Sequence, residues 1–245
     1  MKDLYCWETK FKYCCYSKRL LTKLLLINKT ATPKINILQI KKAIYYARKY
    51  HGDQKRQTGE LYYSHPIEVA YIIADHAFKT EVLVTSILHD AIEDTELTKD
   101  MISYIFGSTV ANNVDDLTRI KLDRKVSSAE TMKSLYLHNK KDLLLVKIFD
   151  RFHNMQTIGA KSPEKIEKIT EETLTDFIII IMYLGKTIPK MLKIEKELIN
   201  LCYQNLLIKP PLPQDVKMIY EDGFQLFFPN FQNVEDQKSI LYLMG

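Results

Sequence analysis

The segment Leu88-His89-Asp90-Ala91-Ile92-Glu93-Asp94-Thr95 gathers one imidazole and three carboxylates within eight residues. Read as helix, the 3.6-residue period puts His89 and Glu93 on one face and Asp90 and Asp94 on the adjoining one. Val82, Leu83, Val84, Ile87 and Leu88, just before them, predict that this helix is buried or half buried. Ionisable groups carried into such a place cost several kcal/mol unless paired or bound to a metal. Two more groups of the same chemical kind stand elsewhere: His65, ahead of Pro66, and Asp150, within Val146-Lys147-Ile148-Phe149-Asp150-Arg151-Phe152-His153-Asn154. Two imidazoles and two carboxylates form a mixed nitrogen and oxygen set suited to Mn²⁺, Fe²⁺ or Zn²⁺, and not to Ca²⁺ or structural zinc. Four protein ligands leave positions for water and substrate, and a metal so held lowers the pKa of its water. Glu93 or Asp94, one turn on, could manage the proton. Singly, each piece has a commonplace reading as surface charge, satisfied core pair or intrahelical ion pair; their conjunction beside apolar runs points to chemistry.

The elements that must position these groups read as helices. Ile37, Ile40, Ala43, Ile44 and Ala47 make one stripe of a helix ending near His51-Gly52. Residues 52–64 are polar with a Thr-Gly turn, a loop that carries side chains toward something. Pro66 suits a first helical position, and Thr80 the N-cap of the helix holding His89. A helix follows Thr98 and ends at Phe106-Gly107, and the next is capped by Ser108. After the polar stretch 121–128, helices are expected from about Ala129 and across Asp142–Met155. Ser162-Pro163-Glu164 opens a helix running to Leu184-Gly185, and Pro189 to about Leu206 makes another. Residues 207–245 read as a loosely specified tail. The fold class is all-α, and few Gly (7) and Pro (8) in 245 residues agree with that.

Charge limits the partners. Residues 1–34 hold eight Lys/Arg (positions 2, 10, 12, 18, 19, 23, 29, 34) against Asp3 and Glu8, which accounts for the whole net charge of +5. The rest is close to neutral, so no nucleic acid partner is implied. This basic tail reads as disordered or family-specific decoration rather than an amphipathic membrane-surface segment. Cys6, Cys14 and Cys15 lie in it and Cys202 stands alone, with neither zinc spacing nor a disulfide framework, so a reducing cytoplasm is the default. The runs Leu20–Ile27 and Phe177–Leu184 are far short of the ~20 residues of a membrane span, Lys23 interrupts the first, and no signal peptide is expected.

The segment His51–Pro66 (HGDQKRQTGELYYSHP), Leu88–Thr95 (LHDAIEDT), Phe106-Gly107 and Val146–Thr157 (VKIFDRFHNMQT) together resemble, in order and spacing, the signatures of the RelA/SpoT hydrolase domain. The resemblance covers residues ~36–206. It implies an HD-domain helical bundle with a connector helix pair following it, divided as a basic tail (1–34), a metal-dependent hydrolase domain (35–185) and a connector with C-terminal tail (186–245). It implies a manganese-dependent pyrophosphohydrolase, with other divalent metals possible, that removes the 3′-pyrophosphate of the stringent-response alarmone (p)ppGpp to give GDP or GTP. By motif position His65, His89, Asp90 and Asp150 fall on the family's metal ligands, and Glu93 and Asp94 on the acidic pair that handles the attacking water. Arg56, Tyr62, Asn154 and Thr157 fall where the family holds the nucleotide, and Lys55, Lys147 and Arg151 are cations that offset phosphate charge.

Three positions depart from the family's pattern: Gln57 replaces Lys, Leu61 replaces Pro and Gln156 replaces Arg. They bear on affinity and nucleotide preference and leave the metal set intact. Glu172-Thr173-Leu174 and Leu184-Gly185 resemble the connector ahead of the synthetase in long members, which suggests descent from a bifunctional protein. Two competing readings remain: an HD-type phosphohydrolase of another nucleotide, motivated by Gln57, and an inactive alarmone-binding remnant.

Overall fold

A computed structural model describes residues 6–77, 79–120 and 124–206. The expected C-terminal tail (207–245) lies outside the described residues. The described residues are 71% helical with no strand and contain only the isolated bridges Lys55–Leu61 and Ile120–Lys125. The all-α class holds.

Two compact units part between His153 and Asn154, within a helix. The first begins with α1 (Trp7–Lys10) and α2 (Cys15–Ile27). The disordered alternative therefore fails for residues 6–34. Leu20, Leu21 and Leu24 recur at helical spacing and are buried as α2 packs against α3 (Ile37–His51) and α4 (Ser64–Ile73). The basic face is engaged too: Arg19 pairs with Glu68 at 3.0 Å and Lys23 with Asp75 at 2.6 Å. Both cations lie over the Tyr71 ring. At this exposure such pairs contribute little individually; the buried leucines hold the helix.

The central element is α5 (Thr80–Leu88), packed on α3, α4 and α8 (Ser108–Leu117). Val82, Leu83, Val84, Ile87 and Leu88 are buried, as expected. Lys79, not Thr80, is its N-cap, while the Thr80 hydroxyl accepts from the Asn36 amide at the start of α3. Pro66 stands two residues inside α4, not first; within the first turn its missing N–H costs no helical bond. Thr98 caps α7 (Lys99–Phe106) as expected. Gly107, at φ 91°, takes the left-handed conformation that ends α7 and itself occupies the N-cap of α8, one residue before the expected Ser108. Ser127 and Glu130 form a reciprocal capping box that starts α9 (Ser128–Leu137), and α10 (Lys141–Gln156) follows.

The described part of the second unit continues from α10 through a 3₁₀ turn (Ile158–Ala160), α11 (Pro163–Glu172), a π segment (Thr173–Phe177), α12 (Ile178–Gly185) and α13 (Met191–Asn205). The single helix expected from Ser162 to Gly185 is thus interrupted. The Thr173 hydroxyl donates to the Ile169 carbonyl at 2.6 Å and Thr175 to Glu171 at 3.0 Å, competing with the backbone ladder where it widens. A Cβ on Gly185 would lie 2.8 Å from Leu192 Cδ2, so glycine permits the close return of α13 on α12.

On α13, burial raises the Glu195 carboxyl from 4.5 to about 7. The folded state then binds a proton that the unfolded chain has already released between those two values, so stability falls as pH rises through this window. Urea melts should show that Glu195→Gln removes a loss of at most about 3 kcal/mol between pH 5 and 8. Parallel pH curves for the two proteins would contradict it.

Candidate metal centre

The imidazole and carboxylates of Leu88–Thr95 do not share one continuous helix. α5 ends at Leu88, His89 and Asp90 form a turn, and a short α6 (Ala91–Asp94) resumes. The Asp90 carbonyl accepts from both Glu93 N (3.1 Å) and Asp94 N (2.9 Å). That local turn replaces an uninterrupted ladder and starts the acidic pair on a separate element. The expected sharing of one face by His89 and Glu93 is therefore corrected. His89 belongs to the buried end of α5, and Glu93 and Asp94 to a separate turn.

His65 at the start of α4, His89 after α5 and Asp150 on α10 converge, with one ligand atom from each lying within 4.8 Å of the others. His65 Nε2 is 3.0 Å from Asp150 Oδ1, and His89 Nε2 is 3.6 Å from the same oxygen. Asp90 closes the group, with Oδ1 3.2 Å from His89 Nε2 and Oδ2 3.8 Å from His65 Nε2. Both imidazoles are only 2% exposed.

The donor set fits a divalent cation, and the orphaned atom at its centre says so independently. His89 Nδ1 donates to the Ser86 carbonyl at 2.7 Å, so in the neutral ring Nε2 carries the lone pair. This buried nitrogen has no hydrogen-bond partner. Burial by itself would lower the His89 pKa, but the Asp90 and Asp150 carboxylates outweigh it and raise the value to about 9. Burial likewise opposes ionisation of Asp150, yet the imidazoles of His65 and His89 and the Lys147 ammonium hold its carboxyl well below the usual range. Lys147, 6% exposed, lies 3.7 Å from Asp150 Oδ2.

Beside this group stands the acidic pair. Tyr62 Oη is 2.7 Å from Asp94 Oδ2 and 3.1 Å from Asp90 Oδ2. One hydroxyl proton cannot satisfy both carboxylates at once. Partial burial, with Asp90 and Glu93 nearby, raises the Asp94 pKa despite the Tyr62 hydrogen bond, and burial together with Asp90 raises that of Tyr62. Glu93 accepts from the Arg119 amide at 3.2 Å and lies 3.6 Å from Lys125 Nζ. A hollow of about 770 Å³ opens against Glu93 and Asp94, bounded also by Lys49, Tyr50, Gln54, Thr95 and Glu96.

The polar loop ahead of α4 is a tight return. Arg56 N donates to Glu60 O, Gly59 N to Arg56 O and Tyr62 N to Gln54 O. Gly59, at φ 89°, supplies the left-handed turn. The loop brings Tyr62 to the carboxylates and Arg56 to His153, whose Nδ1 is 3.2 Å from Arg56 Nη1, while Lys55 stays exposed. Arg151 is 7% exposed. Asn154 and Thr157 fall in the second unit, where the Thr157 hydroxyl donates to the Asn154 carbonyl.

Sequence reasoning passed over His153, which lies three residues beyond Asp150 and so on the same helical face. Its Nδ1 is 2.9 Å from His65 Nδ1. Burial, with the charges of His65 and Arg56, lowers its pKa to about 3. The i, i+3 spacing was the available signal.

A family model described as HD domain matches residues 43–178, more than half of the chain. The chain belongs to the HD domain family. Within it, 148 residues are 39% identical to "GTP pyrophosphokinase rsh" of Brucella ovis, covering 58% of this chain and 20% of that protein. Another 36% identity over 151 residues relates it to the "bifunctional (p)ppGpp synthase/hydrolase SpoT" of Escherichia coli, covering 59% and 22%. The chain spans about a fifth of the length of these relatives. A solved metazoan orthologue of SpoT overlaps 77% of this chain and 94% of its own at 14% identity, with a TM-score of 0.44; the fold assignment rests on the chain's own helices.

Proposed function

We propose that this chain is a divalent-metal-dependent 3′-pyrophosphohydrolase of ppGpp and pppGpp, producing GDP or GTP and pyrophosphate. The observation that carries the reading is the buried convergence of His65, His89 and Asp150, with Asp90 beside them, in an HD-family chain. Similarity to SpoT over the same region supports the choice of substrate.

In this reading His65, His89, Asp90 and Asp150 hold the metal, with Mn²⁺ the ion the resemblance favours. A bound divalent ion would supply an acidified water and charge compensation for the phosphates. Asp94 and Glu93 orient that water and take up or return its proton, and the Tyr62 hydroxyl holds the Asp94 carboxylate in place. Arg56, Lys55 and Tyr62 meet the nucleotide from the loop and Arg151 from α10, while Asn154 and Thr157 match the nucleotide-holding positions of the resemblance. Cytoplasmic location fits the four free cysteines, and no helix among the described residues is long and apolar enough to cross a membrane.

Purified protein given Mn²⁺ and ppGpp should release pyrophosphate and GDP. No turnover with Mn²⁺, Fe²⁺, Zn²⁺ or Co²⁺ between pH 6 and 9 would refute the proposal, and binding without release would identify a nonproductive remnant. Gln57, exposed in the Arg56 loop, favours one alternative, a phosphohydrolase of a less anionic nucleotide. Faster turnover of another nucleotide in a side-by-side panel would select it.

A further inference from the structure

We infer that His153 is a positioning residue: its Nδ1 lone pair, made an obligatory acceptor by Arg56, fixes His65 in the tautomer whose Nε2 faces the metal centre. The inference rests on the four-residue group being a metal site, and is independent of which nucleotide is hydrolysed.

The two histidines of the centre are held differently. His89 gives its Nδ1 proton to the Ser86 carbonyl, an oxygen that can only accept, so its tautomer is set by backbone alone. His65 Nδ1 instead faces another imidazole nitrogen, His153 Nδ1, at 2.9 Å. A hydrogen bond between two such nitrogens holds one proton, and by itself this contact leaves open which ring owns it. Arg56 resolves the choice. Its Nη1 lies 3.2 Å from the same His153 nitrogen, and a guanidinium can only donate. A ring nitrogen facing a guanidinium has no proton of its own, so the proton between the imidazoles belongs to His65, and the one lone pair of His153 Nδ1 is shared between the His65 and Arg56 donors.

The consequence reaches the far side of the His65 ring. With Nδ1 protonated, the neutral imidazole carries its lone pair on Nε2, 3.0 Å from Asp150 Oδ1. Two lone pairs facing each other at that distance require a cation between or beside them. The chain Arg56–His153–His65 therefore presents a basic nitrogen where Asp150 already presents a basic oxygen. Partners of this kind raise ligand basicity and fix ring orientation, and their loss typically weakens metal affinity by about 10–100-fold.

The test compares Mn²⁺ affinity, by competition with a chelator, for wild type, His153→Asn and His153→Leu. Asparagine places an acceptor oxygen near the position of Nδ1; leucine matches its size without one. The expected result is affinity within about threefold of wild type for His153→Asn and a loss of about 10–100-fold for His153→Leu, with both melting cooperatively. Equal affinity for wild type and His153→Leu, or equal losses in both variants, would overturn the inference. Should the leucine variant fail to fold, nitrogen-15 NMR of Zn²⁺-loaded wild type decides. A scalar coupling across the hydrogen bond, with the proton on His65, supports the assignment; a proton on His153 Nδ1 overturns it. Wild type that binds neither Mn²⁺ nor Zn²⁺ would overturn the metal reading and this inference together, whereas tight metal binding without ppGpp turnover would reject only the proposed substrate.

Discussion

Asp150→Asn is expected to abolish metal binding at micromolar Mn²⁺ and to reduce pyrophosphate release by several orders of magnitude. Asp150 Oδ1 is the atom both imidazoles approach, at 3.0 and 3.6 Å. Asparagine keeps the shape and one oxygen but removes the charge, and its amide nitrogen would meet Lys147 or the imidazoles as a competing donor. Loss of an outer partner of a metal ligand costs about 10–100-fold in affinity, and loss of a charged ligand should cost more. In the metal-free protein the same change leaves the His89 imidazole, raised to about 9 by Asp90 and Asp150, without much of its compensating charge. Breaking a buried pair by removing one partner costs about 3–5 kcal/mol, so the variant should also melt earlier. Calorimetric titration with Mn²⁺ and the pyrophosphate assay check both. Wild-type affinity in Asp150→Asn would show that the metal is held elsewhere.

Asp94→Asn should separate chemistry from metal binding. Asp94 sits on the turn α6, apart from the end of α5 that carries His89, and it contacts the centre through the Tyr62 hydroxyl. A positioned acid or base contributes about 10²–10⁴-fold to rate, so kcat should fall by that range. Mn²⁺ affinity should stay within a few fold, because His65, His89, Asp90 and Asp150 are untouched. A parallel fall in metal affinity would make Asp94 a ligand rather than a proton carrier; an unchanged kcat would leave Glu93 alone to handle the water.

Much of the fold was legible because burial and helical period speak together. The apolar run of α5, the Thr98 cap and the ends of α3 and α7 follow from residue type alone. The break at His89-Asp90 was not, since a helical reading assumes an unbroken ladder, and only the double acceptance by the Asp90 carbonyl reveals the turn. The basic N-terminal segment reads as disordered or decorative because its partners are distant in sequence: Glu68 and Tyr71 on α4 and Asp75 just beyond it receive the charge. At the centre, chemistry singles out the histidines and carboxylates and the family resemblance names His65, His89, Asp90 and Asp150 as a set, but their convergence is a tertiary fact. The i, i+3 spacing places His153 on the face of Asp150, but its contact with His65 is again a tertiary fact.

The leucines of α2 lie outside the residues matched to the HD family model, yet they cover the helix that delivers His65. Cutting this chain down to its recognisable portion would strip Leu20, Leu21 and Leu24 from α4 and leave a greasy flank in water beside the metal site. Kinship and self-sufficiency therefore have different borders here. The match to the family model begins at Ala43, while the packing that supports α4 begins upstream, at Leu20.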